Sequence, residues 1–182
     1  MKPTTLLIGT TILIATATGL HAQGCCSASP GATGHAGHGQ ATASAPAKAA
    51  LPKLDLKGAA KPVFESYLAV QASLASDSLA TISATASALA LAVREDTAKS
   101  FPADVATQAE ALAKAKDLAA ARKAFQPLSE SLIRYARSGN IPAGTLYEVY
   151  CPMAKAGWLQ ADKMVRNPYF GQAMLDCGQI KG

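Results

Sequence analysis

The stretch that decides the fold is residues 61–96, KPVFESYLAVQASLASDSLATISATASALALAVRED. Apolar side chains recur in it at steps of three, four or seven residues: Phe64, Leu68, Ala75, Leu79, Ile82, Ala86, Leu89 and Val93. This period places them on one face of an α-helix. Pro62 suits the first turn, where its missing N–H group costs nothing. The pattern therefore predicts one long helix from about Lys61 to Asp96.

The same rhythm continues further along the chain. Residues 98–102 break it, and Asp104 then lies near the front of a second helix, where its negative charge meets the positive end of the helix dipole. The apolar face of the next segment consists of Leu118, Ala121, Phe125, Leu128, Leu132 and Tyr135. Pro127 predicts a kink in that segment, or a restart with Gln126 as the boundary. Gly139 ends it.

The Ala-rich composition of these segments predicts the fold class. Small side chains on helix faces let helix axes approach closely, with a thin core between them. We therefore expect an all-α domain, either an antiparallel helical hairpin or a three- to four-helix up-and-down bundle. The last part of the chain is punctuated by Gly and Pro, which predicts a loop-rich C-terminal cap with short helices at 161–166 and 170–176.

The C-terminal segment also carries two pairs of sulfur-containing side chains. Cys151 and Met153 are two residues apart, so on an extended strand they would point the same way. Met174 and Cys177 are three apart, so on a helical turn they would share a face. Two such pairs brought together would present two thiolates and two thioethers. Soft sulfur ligation without His favours Cu(I) or a similar soft ion.

A disulfide between Cys151 and Cys177 is the other interpretation of the same residues. It would close a loop of about 26 residues and stabilise the fold by about 3 kcal/mol in the chain-entropy model. Spacing alone favours it, because an exported Cys pair is most often a disulfide. The Met side chains of the two pairs would then fill the core. If a metal is bound instead, Met164 and the Trp158 ring are candidates for a hydrophobic shield.

The front of the chain has the features of an export signal. Lys2 precedes an apolar run from Leu6 to Leu20, and Ala22 follows at the expected cleavage position. We assign residues 1–22 to a signal peptide and expect a periplasmic protein. The run is too short for a spanning helix, so we expect no membrane span in the mature chain. A lipid anchor at Cys25 is a lesser alternative.

Residues 23–57 have a different composition, dominated by Gly, Ala, Ser, Thr, Pro and Lys. Such a segment buries too little apolar surface to offset its chain entropy, so we expect a disordered tail. Its side chains with metal affinity are Cys25, Cys26, His35 and His38. They could bind a soft or borderline metal loosely, or be incidental to a low-complexity segment. One folded domain, at 58–182, remains.

Charge and motif content argue against two broad classes of function. The formal net charge is +5, and the Lys residues are scattered without runs or interleaved aromatic side chains, so we expect no nucleic-acid partner. The helical body contains no His, no Ser-His-Asp set, no Cys-His pair and no Gly-rich phosphate loop. We therefore expect no enzymatic activity.

Several short sequence motifs are spread along the chain. The C-terminal motifs are Tyr150-Cys-Pro-Met153, Gly157-x-Leu159, Arg166-Asn-Pro-Tyr-Phe-Gly171 and Met174-Leu-x-Cys-Gly178. The upstream motifs are Tyr67-Leu68 with Leu74-Ala75-x-Asp77, and Arg122-Lys-Ala-Phe125-x-Pro-Leu-Ser129. Together, from about Pro62 to Ile180, they resemble the family catalogued as domain of unknown function 3347. One departure is the stretch between Met153 and Trp158, which is shorter than is usual in that family.

This resemblance implies a periplasmic helical domain associated with copper or related metals. The family occurs in exported bacterial proteins and as a module attached to periplasmic adaptor subunits of heavy-metal efflux systems, and it implies no established activity. By position, the resemblance implies that the possible metal ligands are Cys151, Met153, Met174 and Cys177. We therefore expect a copper chaperone or buffer that passes its ion to an efflux adaptor or metal-acceptor protein. The alternative is a metal-free interaction module stapled by a disulfide.

Overall fold

The computed structural model describes residues 54–181, in which four helices precede a small antiparallel sheet. The helices are α1 (Ala60–Ala75), α2 (Ile82–Arg94), α3 (Asp104–Ala113) and α4 (Leu118–Tyr135). The strands are β1 (Tyr147–Cys151), β2 (Ala156–Gln160) and β3 (Gln179–Ile180). A π-helical turn at Ala136–Asn140 and a 3-10 helix at Gly171–Met174 complete the elements. The signal peptide, and the Cys and His residues predicted as tail ligands, lie outside the described residues.

The predicted helix from Lys61 to Asp96 is two helices, because the chain breaks at residues 76–81. Asp77 at the break has a φ of 54°, a left-handed conformation that ends α1. Its carboxylate accepts hydrogen bonds from the Arg122 guanidinium and from the Gln172 N–H. These partners lie far along the chain, so tertiary contacts stabilise a helix break that the apolar period alone does not predict.

The α4 helix confirms the predicted apolar stripe and corrects the predicted boundary within it. It starts at an Asp117 cap, whose side chain accepts from the Ala120 N–H at 2.7 Å. It then runs without a break through Pro127, so the alternative of a restart with Gln126 as the boundary is wrong. Pro127 and Lys123, whose carbonyl group loses its helical partner, both lie on the exposed side. The chain leaves the helix at Gly139, with a φ of 81°.

The expectation of an all-α fold is wrong in the C-terminal part, which contains a three-stranded sheet in the order β2-β1-β3. The hairpin pairs Tyr147 with Gln160 and Cys151 with Ala156. Its first strand, Tyr-Glu-Val-Tyr-Cys, combines strand-favouring residues with alternating burial. Because the strand has only five residues, this alternation is too short to stand out in the sequence. No helix forms at 161–166, and the helix expected at 170–176 is reduced to one short 3-10 turn.

The core lies between the helices and the hairpin, and its centre is aromatic. Tyr67 of α1 stacks on Phe125 of α4 with ring centroids 5.2 Å apart. Phe125 also meets Tyr169, which packs edge-on against Trp158. The sheet is joined to this core through β2, which packs on α4. The rings therefore link the helical body directly to the C-terminal segment.

The folded part begins earlier than the predicted boundary at residue 58. Leu54 and Leu56 are buried and belong to the core, although both were assigned to the tail. Burying two Leu side chains stabilises a fold by about 1.5–3 kcal/mol each, which explains why this end of the tail is packed. None of the helices within residues 54–181 combines the length and apolar character that crossing a bilayer requires.

A buried polar network fixes the hairpin onto the helices. The Tyr67 hydroxyl lies 2.6 Å from Ser129 Oγ, which in turn donates to the Gly157 carbonyl oxygen at 3.0 Å. The same Tyr67 oxygen accepts from the Leu159 N–H at 3.0 Å. Tyr169 adds a second hydroxyl donor to the Gly157 carbonyl, at 2.7 Å. Burial, as the largest cause, raises the pKa of Tyr67 and of Tyr169 above the ordinary range, so both stay neutral donors.

Candidate functional site

Two short elements bring Cys151 and Cys177 together. Cys151 is the last residue of β1, and Cys177 lies just before β3. The β1–β3 register pairs Val149 with Ile180 and Tyr150 with Gln179, so the next step places Cys151 beside the Cys177 segment. The two Sγ atoms are 2.7 Å apart, and both residues are free cysteines. The structure thus confirms that these two sulfur atoms meet.

The turn between β1 and β2 directs backbone donors at the Cys151 sulfur. The Ala154 N–H donates to Cys151 Sγ at 3.4 Å, and the Met153 backbone acts to lower the pKa of both thiols. Pro152 has no N–H group and fixes its own φ, which favours a tight turn directly after the Cys. Lys155 closes the turn with a φ of 51°. The site therefore has a small nest of N–H groups suited to a thiolate.

Asn167 organises the other side of the site. It is fully buried, and its Nδ2 donates to the Cys177 carbonyl oxygen at 2.7 Å. Its Oδ1 accepts from the N–H groups of Tyr169 and Phe170, at 2.8 and 3.2 Å. The Asn167 side chain also acts to lower the pKa of the Cys151 thiol. One amide thus holds the loop that carries Cys177 and influences the opposite thiol.

The environment separates the acidities of the two thiols. Burial raises the pKa of Cys151, but hydrogen bonds from Cys177, Ala154, Met153 and Asn167 outweigh it and leave that pKa lowered. The hydrogen bond to Cys151 is the largest cause of the opposite shift in Cys177, whose pKa is raised, with burial and the Cys151 charge acting in the same direction. Cys151 therefore ionises first, while Cys177 retains the shared proton.

Trp158 forms a wall beside the Cys177 segment. Its ring is fully buried, and its Nε1 donates to Gln160 Oε1 at 3.0 Å. A Cβ atom added to Gly178, the residue after Cys177, would lie 2.7 Å from Trp158 Cη2 and equally close to Val149 Cγ1. Glycine is therefore the residue that lets this backbone pass directly over the indole.

The predicted Met ligands are placed differently from the two Cys residues. Met153 is not on the strand with Cys151 but in the turn after it, with 67% of its surface exposed. Met174 ends the 3-10 helix, and its carbonyl accepts from the Cys177 N–H at 3.2 Å, so these two are one turn apart as expected. Met164 is 66% exposed in a loop and forms no wall, in contrast to its predicted shielding role.

The described residues contain no group of three or more His, Cys, Asp or Glu side chains arranged to hold a metal ion. The chemistry available at this site is therefore that of a thiol pair with Met thioethers near it in the chain. The predicted tail ligands Cys25, Cys26, His35 and His38 fall outside residues 54–181, and their relation to the site stays a prediction.

A second junction anchors the C-terminal segment to the helices. Arg122 of α4 donates through Nε to the Pro168 carbonyl at 3.0 Å and through Nη2 to the Leu74 carbonyl at 3.2 Å. It also pairs with the Asp77 carboxylate. Gly171 has a φ of 56° and packs against both side chains, with no room for a Cβ atom. This junction fixes the start of the loop that ends at Cys177.

Sequence reasoning quoted Asn167 and Arg122 only as parts of motifs and missed their structural roles. The signal for Asn167 is the Asn-Pro pair, which initiates turns because the Asn side chain bonds its own backbone two residues on. No comparable local signal exists for Arg122. Its three acceptors lie more than 40 residues away in sequence.

Comparison with protein families identifies the helical body. Residues 63–144 match the family described as "Protein of unknown function (DUF3347)". This region belongs to that family. The match confirms the resemblance for the helical part alone, because it begins within α1, continues through α4 and ends before β1 and the Cys pair. No curated protein and no solved structure matches the chain.

Proposed function

We propose that the chain is an exported periplasmic protein that binds the soft metal ion Cu(I) through Cys151 and Cys177. The observation that supports this most directly is the contact between the two sulfur atoms, 2.7 Å apart, beneath a turn that supplies N–H donors. Thiolates are the ligands that Cu(I) prefers, and this site holds one Cys poised to ionise. The protein would act as a copper buffer or chaperone and not as an enzyme.

Metal loading requires a local rearrangement. Metal–thiolate bonds are about 2.3 Å long for zinc, so an ion between two sulfur atoms holds them further apart than 2.7 Å. The Cys177 side chain is the one with more room to move, because it is partly exposed while Cys151 is fully buried. Met153 in the exposed turn and Met174 beside Cys177 would supply thioethers as additional soft ligands.

Two further parts of the proposal rest on the sequence. The predicted signal peptide supports a periplasmic location, and the tail residues Cys25, Cys26, His35 and His38 would capture ions for transfer to the folded site. The family resemblance suggests an efflux adaptor or another metal-acceptor protein as the recipient. Ligand exchange between thiol sites would suit such a transfer, because each step replaces one soft ligand by another.

Anaerobic titration of the reduced protein with Cu(I), against a competing chromophoric chelator, tests this proposal. A variant lacking residues 23–50 isolates the folded site and should bind about one ion, with affinity lost in Cys151→Ser or Cys177→Ser. Met153→Leu and Met174→Leu should weaken binding while changing stability by less than about 1.5 kcal/mol. Met164→Leu is the matched control, since Met164 is as exposed as Met153. Equal affinity in all three Met variants would remove the thioether role.

A second candidate function follows from the same short distance. Sulfur atoms at 2.7 Å are close to bonding, which favours a Cys151–Cys177 disulfide that staples a metal-free interaction module. Thiol counting on protein purified from the periplasm distinguishes the candidates. Thiols that appear only after reduction, together with no Cu(I) uptake by the reduced folded domain, would support the module and eliminate the metal site.

A further inference from the structure

We infer that Cys177 and Cys151 form a reversible dithiol–disulfide pair, in which Cys177 exchanges with a small-molecule disulfide and Cys151 resolves the product. This activity goes beyond both a metal site and a permanent staple. It is carried by three features: the contact between the sulfur atoms, their unequal access to solvent, and the donors that hold Cys151 in place.

The contact makes bond formation a local event. The sulfur atoms are 2.7 Å apart, and a disulfide bond is about 2.05 Å long, so closing the bond needs only a small movement. The segments that carry them are fixed independently, Cys151 by the β1–β2 hairpin and Cys177 by β3 and Asn167. The pair therefore stays aligned whether or not the bond is present.

Access assigns a different role to each sulfur. Cys151 is fully buried, so an external disulfide cannot reach it. Cys177 is partly exposed and lies in the short connection between the 3-10 helix and the two-residue β3. Thiol–disulfide exchange depends on access to the attacking sulfur. The first reaction with an outside molecule must therefore occur at Cys177.

The exchange then proceeds in two balanced steps. The Cys177 thiol retains its proton longer than Cys151 and must first lose it to solvent. Its sulfur then attacks one sulfur of an external disulfide R–S–S–R, and R–S⁻ leaves, giving a mixed disulfide on Cys177. Cys151, having lost its own proton, attacks the Cys177 sulfur of this mixed disulfide, and a second R–S⁻ leaves. One external disulfide is reduced by two electrons, the protein dithiol is oxidised by two, and the two released protons match the two thiolates formed.

The donors around Cys151 distinguish this arrangement from an inert staple. The Ala154 N–H donates to its sulfur at 3.4 Å, and Met153 and Asn167 also lower the pKa of this thiol. These interactions are made to a free Cys, so the reduced form has its own stabilising contacts. Disulfides with an exposed sulfur and a stabilised reduced form are the labile ones.

Mixed-disulfide trapping with oxidised glutathione tests the assignment. The full chain is used with Cys25→Ser and Cys26→Ser, so that only the two site thiols remain. In this background Cys151→Ser should accumulate one glutathione adduct on Cys177, because no second thiol resolves it. Cys177→Ser should form its adduct at least about tenfold more slowly than Cys151→Ser, because its remaining thiol is buried. The parent should form the internal disulfide and release two glutathione thiols per chain.

Three results would overturn the inference: equal adduct rates in the two Ser variants, no adduct in either, or an adduct that persists in the parent. Peptide mapping of the parent after a brief acid-quenched reaction provides a readout in which both site cysteines are intact. The first adduct should lie on Cys177. A disulfide that glutathione reduces only after the protein unfolds would also contradict it. Cu(I) titration of the reduced parent is independent of all these outcomes, so failure of the metal site and failure of exchange are distinguishable.

Discussion

Asn167 is the buried side chain on which the Cys177 loop depends. Three hydrogen bonds join it to backbone groups of Tyr169, Phe170 and Cys177, and its amide acts to lower the pKa of the Cys151 thiol. Removing the amide leaves half-buried backbone groups without these partners, and an unpaired group costs about 1–3 kcal/mol when it is fully buried. The hydrogen bonds of Asn167 therefore hold this loop more than apolar packing does.

We predict that Asn167→Ala lowers the free energy of unfolding by at least about 1–3 kcal/mol and raises the pKa of Cys151. The pKa rises because a hydrogen bond to the sulfur is lost. Urea unfolding measures the first effect, and the pH dependence of thiol alkylation in a Cys177→Ser background measures the second. An unchanged alkylation profile with lowered stability would show that Asn167 supports only the loop.

Phe125 is the central ring of the core and carries the second prediction at this scale. It is fully buried between Tyr67 and Tyr169, at centroid distances of 5.2 and 5.8 Å. Phe125→Ala should lower the free energy of unfolding by about 3–5 kcal/mol. Leu91→Ala is the control, because Leu91 is 55% exposed and should cost far less. Equal melting temperatures for the two variants would contradict the assignment of Phe125 to the core.

At the scale of elements, the junction of Asp77, Arg122 and Gly171 joins three parts of the chain. Hydrogen bonds from the Gln172 N–H and then from Arg122 hold the pKa of the Asp77 carboxyl below its ordinary value. A carboxyl whose folded pKa is depressed stabilises the fold above its unfolded pKa of about 3.9, and this contribution is lost as the pH falls through the folded value. The junction should therefore weaken in acid.

We predict that Asp77→Asn reduces stability near pH 7 and removes part of the loss of stability below about pH 4. The effect should be modest, because Asp77 is 37% exposed and solvent screens its charge pair. Thermal melts of both proteins from pH 7 to pH 2.5 measure it. Parallel curves across that range would show that Asp77 contributes no acid sensitivity.

The elements also show what the sequence could and could not predict. The stripe of α4 was readable because its apolar residues keep a helical period. The break at 76–81 was missed because Ala75, Leu79 and Ile82 keep that period across it, while Asp77 is held by groups from distant segments. The strands were missed because five residues are too few for alternation to stand out.

The two cysteines of the site were more predictable than the shape of the site. Cys151 and Cys177 could be paired because each lies close to a Met in the C-terminal segment, and the structure brings the two sulfur atoms together. The turn that exposes Met153 depends on hairpin register, and the burial of Asn167 depends on the whole C-terminal fold. Neither property is encoded by local spacing.

At the scale of the whole molecule, the boundary of the folded part decides how the chain can be shortened. Deleting residues 23–50 should leave the domain folded and lower Cu(I) stoichiometry if the tail Cys and His residues are ligands. Extending the deletion through residue 57 removes Leu54 and Leu56 from the core and should cost up to about 1.5–3 kcal/mol for each. Calorimetry of both truncations checks this, and equal melting temperatures would show that the two Leu residues contribute little.

The indole wall has an optical consequence. Trp158 is the only tryptophan of the chain, and its ring edge lies against the backbone of Gly178, one residue from the sulfur that must move. Any displacement of that backbone changes the surroundings of the chain's sole indole fluorophore. Its emission should therefore report oxidation or ion uptake at the thiol pair in real time, without an added label. Emission that stays constant through both reactions would mean that the Gly178 segment does not follow the sulfur.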